Sequence, residues 1–410
     1  MGIESSFFKD NREAFLDRLP EGTAVFVFAG TTRQMTQDSD YRFLPDRNFY
    51  YLTGIDVPSC KLMLLKKEGE SRLMLFVPPK DDFTERWHGR RRTPEEYAQI
   101  SGIDVEDIYP ENDFDDKKYE IFKGGYKVAY DGTSVSEINK QFMLTEEAVL
   151  DIGEILTRMR MVKKPCEIEA IRKAAKITED ALSDMKKLIA EGVSEYTLFT
   201  ELTYQMAKRG TLIPAFETIV AIDENAFYLH HSDPDGEDGP LVRKGGQIQI
   251  DVGARVDGYC ADISRAYLIG GPEGDSDKRY ELYGLIKKLR REALAFIKPG
   301  VTWVSLNEHI RSVAGSWLRE KGLLEEGFTD EDVKRYYWHN TGHHLGLDVH
   351  DISLRELPFE AGNCLAIEPG VYIPEWGVGF RIEDDVLVTE DGSEYISSGN
   401  DDLTDVLVEV

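Results

Sequence analysis

Asp251 and Asp262 in QIDVGARVDGYCADISR, His339, His343 and His350 in WHNTGHHLGLDVHD, Glu368 in AIEPG and Glu383 in RIEDD are the side chains whose types and spacing suit catalysis. One imidazole and four carboxylates suffice as protein ligands for a pair of hard divalent cations. Further histidines beside such a pair can move protons. A folded chain has little structural use for so many ionisable groups in apolar, β-type segments, because an unpaired buried charge costs several kcal/mol. The set therefore points to a dinuclear metal site, and a dinuclear site points to hydrolysis.

The elements that must position these groups follow from local pattern. The stretch QIQIDVGARVDGYCADISRAYLI suggests a β-hairpin with Val256, Asp257 and Gly258 at its tip. Asp251 and Asp262 would then lie opposite or nearly opposite each other, roughly 5 Å apart on one face. Two carboxylates so placed repel unless a cation sits between them. Cys260 shares that strand face. His343 follows a glycine and is expected on a strand or tight loop, with its neighbour His344 facing the other way and left without a role. Arg381 and Glu383 share a face, so Arg381 either braces a ligand or meets substrate. Asp384 and Asp385 look like ordinary strand-end charges, and His230 in AFYLHHSDP looks like a loop residue. Oxygen-dominated ligation favours Mn2+ or Mg2+ and the imidazole keeps Zn, Co and Fe open; Mn2+ is the expectation.

Two domains are expected for 410 residues, about 1–157 and 158–410. The first part alternates strands (Ala24–Gly30, Lys61–Lys67, Arg72–Pro79, KVAYDG) with a helix over TPEEYAQISG, an α/β pattern. The second opens with an amphipathic helix over CEIEAIRKAAKITEDALSDMKKLIAEG that a glycine stop at Gly192 would end. A second helix, strands, two more helices and final strands follow, as in an α+β domain with an antiparallel sheet.

Composition limits the function. With 76 acidic against 49 basic residues, net charge −27, binding to nucleic acid or to an anionic membrane is not expected. No apolar run approaches a membrane span, and no secretory signal pattern opens the chain. Four widely spaced cysteines (Cys60, Cys166, Cys260, Cys364) form no metal or disulfide motif, which fits a reducing cytoplasm.

Taken together these motifs resemble the metal-dependent peptidases of pita-bread fold, and among them the aminopeptidase P group, with prolidase as near relative. The resemblance spans essentially the whole chain: QIDVG and ADISR, HNTGHHLGLDVHD, AIEPG and RIEDD in order, and upstream DYRFLPDRNFYYLTGI and ERWHGRR. It implies an N-terminal domain of the aminopeptidase P type and a catalytic pita-bread domain with a curved antiparallel sheet. It implies Asp251 on one metal, Asp262 and Glu383 bridging both, and His343 with Glu368 on the other. His230, His339 and His350 match the family's catalytic histidines that do not bind metal, which changes the reading of His230.

The implied activity is release of the first residue from peptides with proline second, by a hydroxide bridging the metals. His339 or His350 would polarise the scissile carbonyl, Glu368 would relay the proton to the proline nitrogen, and His230 would stabilise the tetrahedral intermediate. Two departures, HNTGHH and a short stretch between Glu368 and Glu383, bear on pocket shape and leave the ligands intact. A homodimer or homotetramer is implied, and Trp87 is a candidate to reach a neighbour's substrate site, with a buried aromatic as the other reading. Competing readings are prolidase, a metal-free amidinohydrolase of the same fold, and a non-enzymatic binding module of that fold; five intact ligands speak against the last two.

Overall fold

The computed structural model describes residues 2–130, 149–272 and 277–398. The chain divides into two compact units, Met1–Met159 and Arg160–Val410. The first is built on a six-stranded mixed sheet: β1 (Thr23–Phe28), β2 (Lys61–Lys67), β3 (Glu70–Val77), β4 (Ile108–Pro110), β5 (Lys127–Tyr130) and β6 (Val149–Asp151), in the order β4-β3-β2-β1-β5-β6. The TAVFVF run of β1 is buried along its whole length because β2 pairs with it antiparallel on one side and β5 parallel on the other. On one face Phe26, Phe28 and Phe76 meet Phe114 edge-on. The helix Pro94–Ser101 begins where expected, with Pro94 in its first turn and a Thr93–Glu96 capping box.

Trp87 sits on the short helix Asp82–His88 and is 73% exposed, one turn from an equally bare Phe83. It is not a buried aromatic: no described residue of its own unit covers that face.

Among the described residues of the second unit every strand pairing is antiparallel. One sheet holds β7 (Ile219–Ile222), β8 (Gln247–Val252) and β11 (Ile263–Leu268). The hairpin between β8 and β11 continues in the short pair β9 (Arg255–Val256) and β10 (Tyr259–Cys260). Another sheet runs β12 (Gly342–His344), β13 (Cys364–Ile367), β16 (Asp384–Val388) and β17 (Ser393–Tyr395), beside the ribbon β14 (Gly370–Ile373) and β15 (Val378–Arg381). The helices Lys278–Phe296 and Trp303–Glu320 lay an apolar stripe (Leu282, Ile286, Leu289; Leu306, Ile310) into one core with Ile367, Val371, Phe380 and Val386 of these strands.

The first long helix, Pro165–Lys186, stops before Gly192. Bonds Leu188 N–H to Met185 and Ile189 N–H to Lys186 tighten its last turn, and Gly192 then pairs with the Val242 carbonyl. Burial of Ile189 in that tightened turn prevails over the glycine stop read from the sequence.

Gly342 marks how tightly the histidine strand is set. A Cβ there would lie 2.0 Å from the Ala366 carbonyl oxygen of β13. Gly342→Ala is therefore expected to push β12 off β13 and cost about 2–3 kcal/mol, read as a lowered urea midpoint. A midpoint equal to that of the parent would show that the strand can give way.

Candidate metal centre and active site

The Asp-Gly tip of the hairpin takes the left-handed conformation twice, Asp257 at φ 49° and Gly258 at φ 84°, as a two-residue turn of this hand requires. Its register pairs Asp251 with Ser264 and Val252 with Ile263, so Asp262 stands across from Gly253. The two aspartates share a face, but as diagonal neighbours and not as a facing pair. Gly253 is obligatory between them, since a Cβ would come within 1.9 Å of the Ala261 carbonyl oxygen. Cys260 turns its thiol toward the Leu347 carbonyl, 3.6 Å away.

His343 lies on β12 with its backbone opposite Ala366. Its Nδ1 is 3.2 Å from the His344 carbonyl, which can only accept, so the proton sits on Nδ1 and the Nε2 lone pair is free. That Nε2 points at three carboxylates: Asp262 Oδ2 at 3.4 Å, Glu368 Oε1 at 3.8 Å and Glu383 Oε1 at 3.9 Å. Donor atoms of Asp262, His343 and Glu383 all lie within 4.8 Å of one another. Glu383 reaches this point because its N–H bonds the Ser264 carbonyl of β11, and Glu368 because its N–H bonds the Thr341 carbonyl.

Asp262 Oδ1, Asp251 Oδ1 and both oxygens of Glu383 are buried and accept no hydrogen bond from the protein. Burial, then repulsion from Asp251 and Asp385, drives the Asp262 carboxyl well above its usual range. Burial, then Asp262 and Glu368, does the same to Glu383, and burial raises Glu368. Such a convergence of unsatisfied oxygens around a free imidazole nitrogen fits divalent cations in number, charge and donor type.

Arg381 is a brace. Its guanidinium holds Asp251, donates through Nε to Ser264 Oγ at 3.0 Å, and its N–H meets Gln249 Oε1 at 2.8 Å. Burial pushes Asp251 up, but Arg381 outweighs it and holds the carboxylate below its ordinary value. The pair is almost fully enclosed, so Arg381 serves Asp251 and leaves no free fork for substrate.

The remaining histidines surround the carboxylates. His339 Nδ1 meets the Asn340 carbonyl at 2.9 Å, so Nε2 accepts from the Tyr372 hydroxyl at 3.1 Å; Glu368 Oε2 lies 3.5 Å from Nδ1. Burial, then Arg381, lowers the His339 pKa to about 4. The His350 ring lies 3.9 Å from that of His343, and burial followed by the two neighbouring imidazoles brings it to about 4 as well. Both rings are neutral at pH 7. His230 and His350 line one cavity of about 350 Å3 with Asp251 and Asp262. Of the ten residues picked out from sequence, nine thus gather around one point, and Trp87 belongs to the other unit.

Several supporting residues were not foreseen. Asp384 and Asp385 open a strand but are not ordinary strand-end charges: both are fully buried. Asp384 takes Arg265 and Arg290, and the Asp385 carboxylate accepts the Asp262 N–H. Asp351 is clamped between Arg160 and Lys163, one residue from His350. Glu195, His231 and Asp235 also cluster closely enough for a metal. The Glu195 oxygens, however, are filled by Ile222 N, Asn225 Nδ2, His231 Nε2 and Asp235 N, so this cluster is a structural knot that ties the loop carrying His230. Only the charge of Asp384 and Asp385 was visible in the sequence; Arg265 and the Asp262 N–H, which they meet, lie more than 100 positions away.

Comparison with known proteins agrees with this geometry. The model of metallopeptidase family M24 matches residues 169–390, and that of the aminopeptidase P N-terminal domain matches residues 8–130. The Xaa-Pro aminopeptidase of Escherichia coli K12 is 27% identical, covering 97% of this chain and 95% of its own length. The enzyme of that name from Haemophilus influenzae is 29% identical over 95% and 94%. Among solved structures, a putative aminopeptidase P from Bacillus anthracis superposes with TM-score 0.87 at 32% identity over 96% of this chain and 95% of that one. Zinc-substituted E. coli aminopeptidase P in complex with product does so with TM-score 0.87 at 26% over 97% and 96%. With its antiparallel sheets of pita-bread type and an M24 match over more than half its length, the chain belongs to metallopeptidase family M24 and carries the N-terminal domain of aminopeptidase P.

Proposed function

We infer that this chain is a metal-dependent Xaa-Pro aminopeptidase, a hydrolase that releases the first residue of peptides whose second residue is proline. The observation that carries the reading is the convergence of orphaned, buried carboxylate oxygens of Asp251, Asp262 and Glu383 on the His343 Nε2 side, in a chain aligned end to end with Xaa-Pro aminopeptidases. Asp251, Asp262, His343, Glu368 and Glu383 would hold two divalent cations. When bound, the cations supply Lewis acidity toward the scissile carbonyl and lower the pKa of water into the neutral range.

The chain's own groups do the rest. Neutral His339, fixed by Asn340 and Tyr372, and neutral His350, against His343, are poised beside the reacting carbonyl. Glu368, 3.5 Å from His339, is the group to carry a proton to the departing proline nitrogen. His230, on the cavity wall, supports the developing negative charge. A tertiary amide has no N–H for a peptidase to grip, so recognition has to come from such a built pocket around the ring.

Manganese is the metal we assign, because four of five donors are carboxylates. Peptide is the only macromolecular partner we assign besides further copies of the chain, in a homodimer or homotetramer toward which exposed Phe83 and Trp87 would contribute. Among the described residues no helix is long and apolar enough to cross a membrane, and we place the enzyme in the cytoplasm. The division of labour between domains 1–157 and 158–410 is part of the same reading.

The test is substrate length with Mn2+ present. An Xaa-Pro-Yaa-Yaa tetrapeptide is expected to be cut at the Xaa-Pro bond at least about tenfold faster, by kcat/KM, than the Xaa-Pro dipeptide. Efficient cleavage of the dipeptide alone would make the enzyme a prolidase.

A further inference from the structure

The cavity beside the metal ligands has a charge pattern that the general reaction does not use. Asp251 and Asp262 form part of its wall, Phe216, Ile219 and Val349 provide apolar surface, and Glu217 is the one further acidic residue lining it. Glu217 is exposed, and among the described residues it makes no hydrogen bond or ion pair. No lysine or arginine lines this cavity. The other two carboxylates are committed, Asp251 to Arg381 and both to the cations in the reading above. A carboxylate left alone at the mouth of an apolar-walled pocket complements a side chain with an aliphatic stem and a cationic head.

We propose that Glu217 makes this enzyme select peptides whose first residue is basic, lysine or arginine. The inference rests on the aminopeptidase reading and deepens it. We place the substrate's free amine beside Asp251, so the side chain next to it, that of residue one, is the one within reach of the cavity that Asp251 lines. A volume of about 350 Å3 accommodates a lysine or arginine side chain stretched along Phe216, Ile219 and Val349 toward Glu217. The net charge of −27 works in the same direction by drawing cationic peptides toward the surface.

Lysine and norleucine share the four-carbon stem and differ by the ammonium group, so Lys-Pro-Ala-Ala against norleucine-Pro-Ala-Ala isolates the charge. With the manganese-loaded enzyme we expect kcat/KM to favour the lysine peptide about fivefold at low salt, in line with a partly solvated ion pair. The preference should shrink as ionic strength rises. In Glu217→Gln the ratio should fall to about one, and in Glu217→Lys it should drop below one. A parent ratio near one, or a ratio that Glu217→Gln leaves unchanged, overturns the proposal while leaving the aminopeptidase reading standing. If the parent enzyme cuts neither peptide, the aminopeptidase reading itself fails and this inference falls with it.

Discussion

Glu383→Ala is expected to lower kcat/KM by more than about 1000-fold, the scale expected on losing a residue that would hold the cations. The physical reason is that Glu383 contributes two buried oxygens with no other partner, next to Asp262 and His343. The same substitution has an opposite effect on the metal-free protein. Burial and the neighbouring carboxylates raise Glu383 and Asp262 well above the ordinary carboxylate range. The folded state then binds more protons than the unfolded one above about pH 4. The contribution of these two carboxyls to stability without metal is therefore greatest at low pH and falls as pH rises through the raised values. In EDTA the parent should melt at a higher temperature at pH 5 than at pH 8, and Glu383→Ala should flatten that slope. Added Mn2+ should raise the melting temperature of the parent by mass action and that of the variant much less. Retained peptidase activity in the variant, or a chelated parent that gains stability between pH 5 and 8, would falsify the metal assignment.

The largest loss of stability is expected from Asp351→Asn, about 3–5 kcal/mol. Asp351 is the shared counter-ion of Arg160 and Lys163, and all three side chains are buried. Asparagine keeps the shape and removes the charge, leaving two enclosed cations facing a neutral amide. Space offers no relief, because Gly346 packs so closely that a Cβ there would touch both Asp351 and Lys163. Burial raises the Asp351 pKa, but Arg160 and Lys163 overcome it and hold the carboxyl down at about 2. A depressed folded pKa stabilises above the unfolded value of about 4, and the contribution disappears as pH falls from there toward 2. Urea titrations at pH 7 and pH 3 test both points: the gap between parent and variant should be wide at the first and narrower at the second. A variant within about 1 kcal/mol of the parent at pH 7 would mean that the cations find other partners. Since Asp351 follows His350, the variant should also lose kcat more than it gains KM.

The candidate ligand set was legible in the sequence because each of its residues sits in a short segment whose own pattern carries the signal. Asp257-Gly258 announced the turn, alternation announced the strands, and the shared face of Asp251 and Asp262 followed. What sequence could not supply were partners across long separations. Arg381 offered two roles until its guanidinium was found enclosed with Asp251. Asp384 and Asp385 looked like ordinary strand-end charges, because nothing near them in sequence names Arg265, Arg290 or the Asp262 N–H as what they meet. The hairpin register depended on where Gly253 lets the two strands touch, which pattern alone resolves only to the nearest pair. Gly192 failed as a helix stop for a related reason: packing of Ile189 tightens the chain a turn earlier. Local chemistry was readable, and the supporting layer behind it was not.

Asp251 and Glu383 stand 132 positions apart. At ribosomal rates the second emerges on the order of ten seconds after the first. Until then the hairpin bearing Asp251 and Asp262 has at most His343 and Glu368 to share a cation with. A metal ion therefore has no complete site on which to nucleate the fold. Strand pairing must bring the ligands together first, against their own repulsion, and the cations are the last components added. Metal loading then acts as a proofreading step: it rewards only those chains in which four separate segments have already found their places.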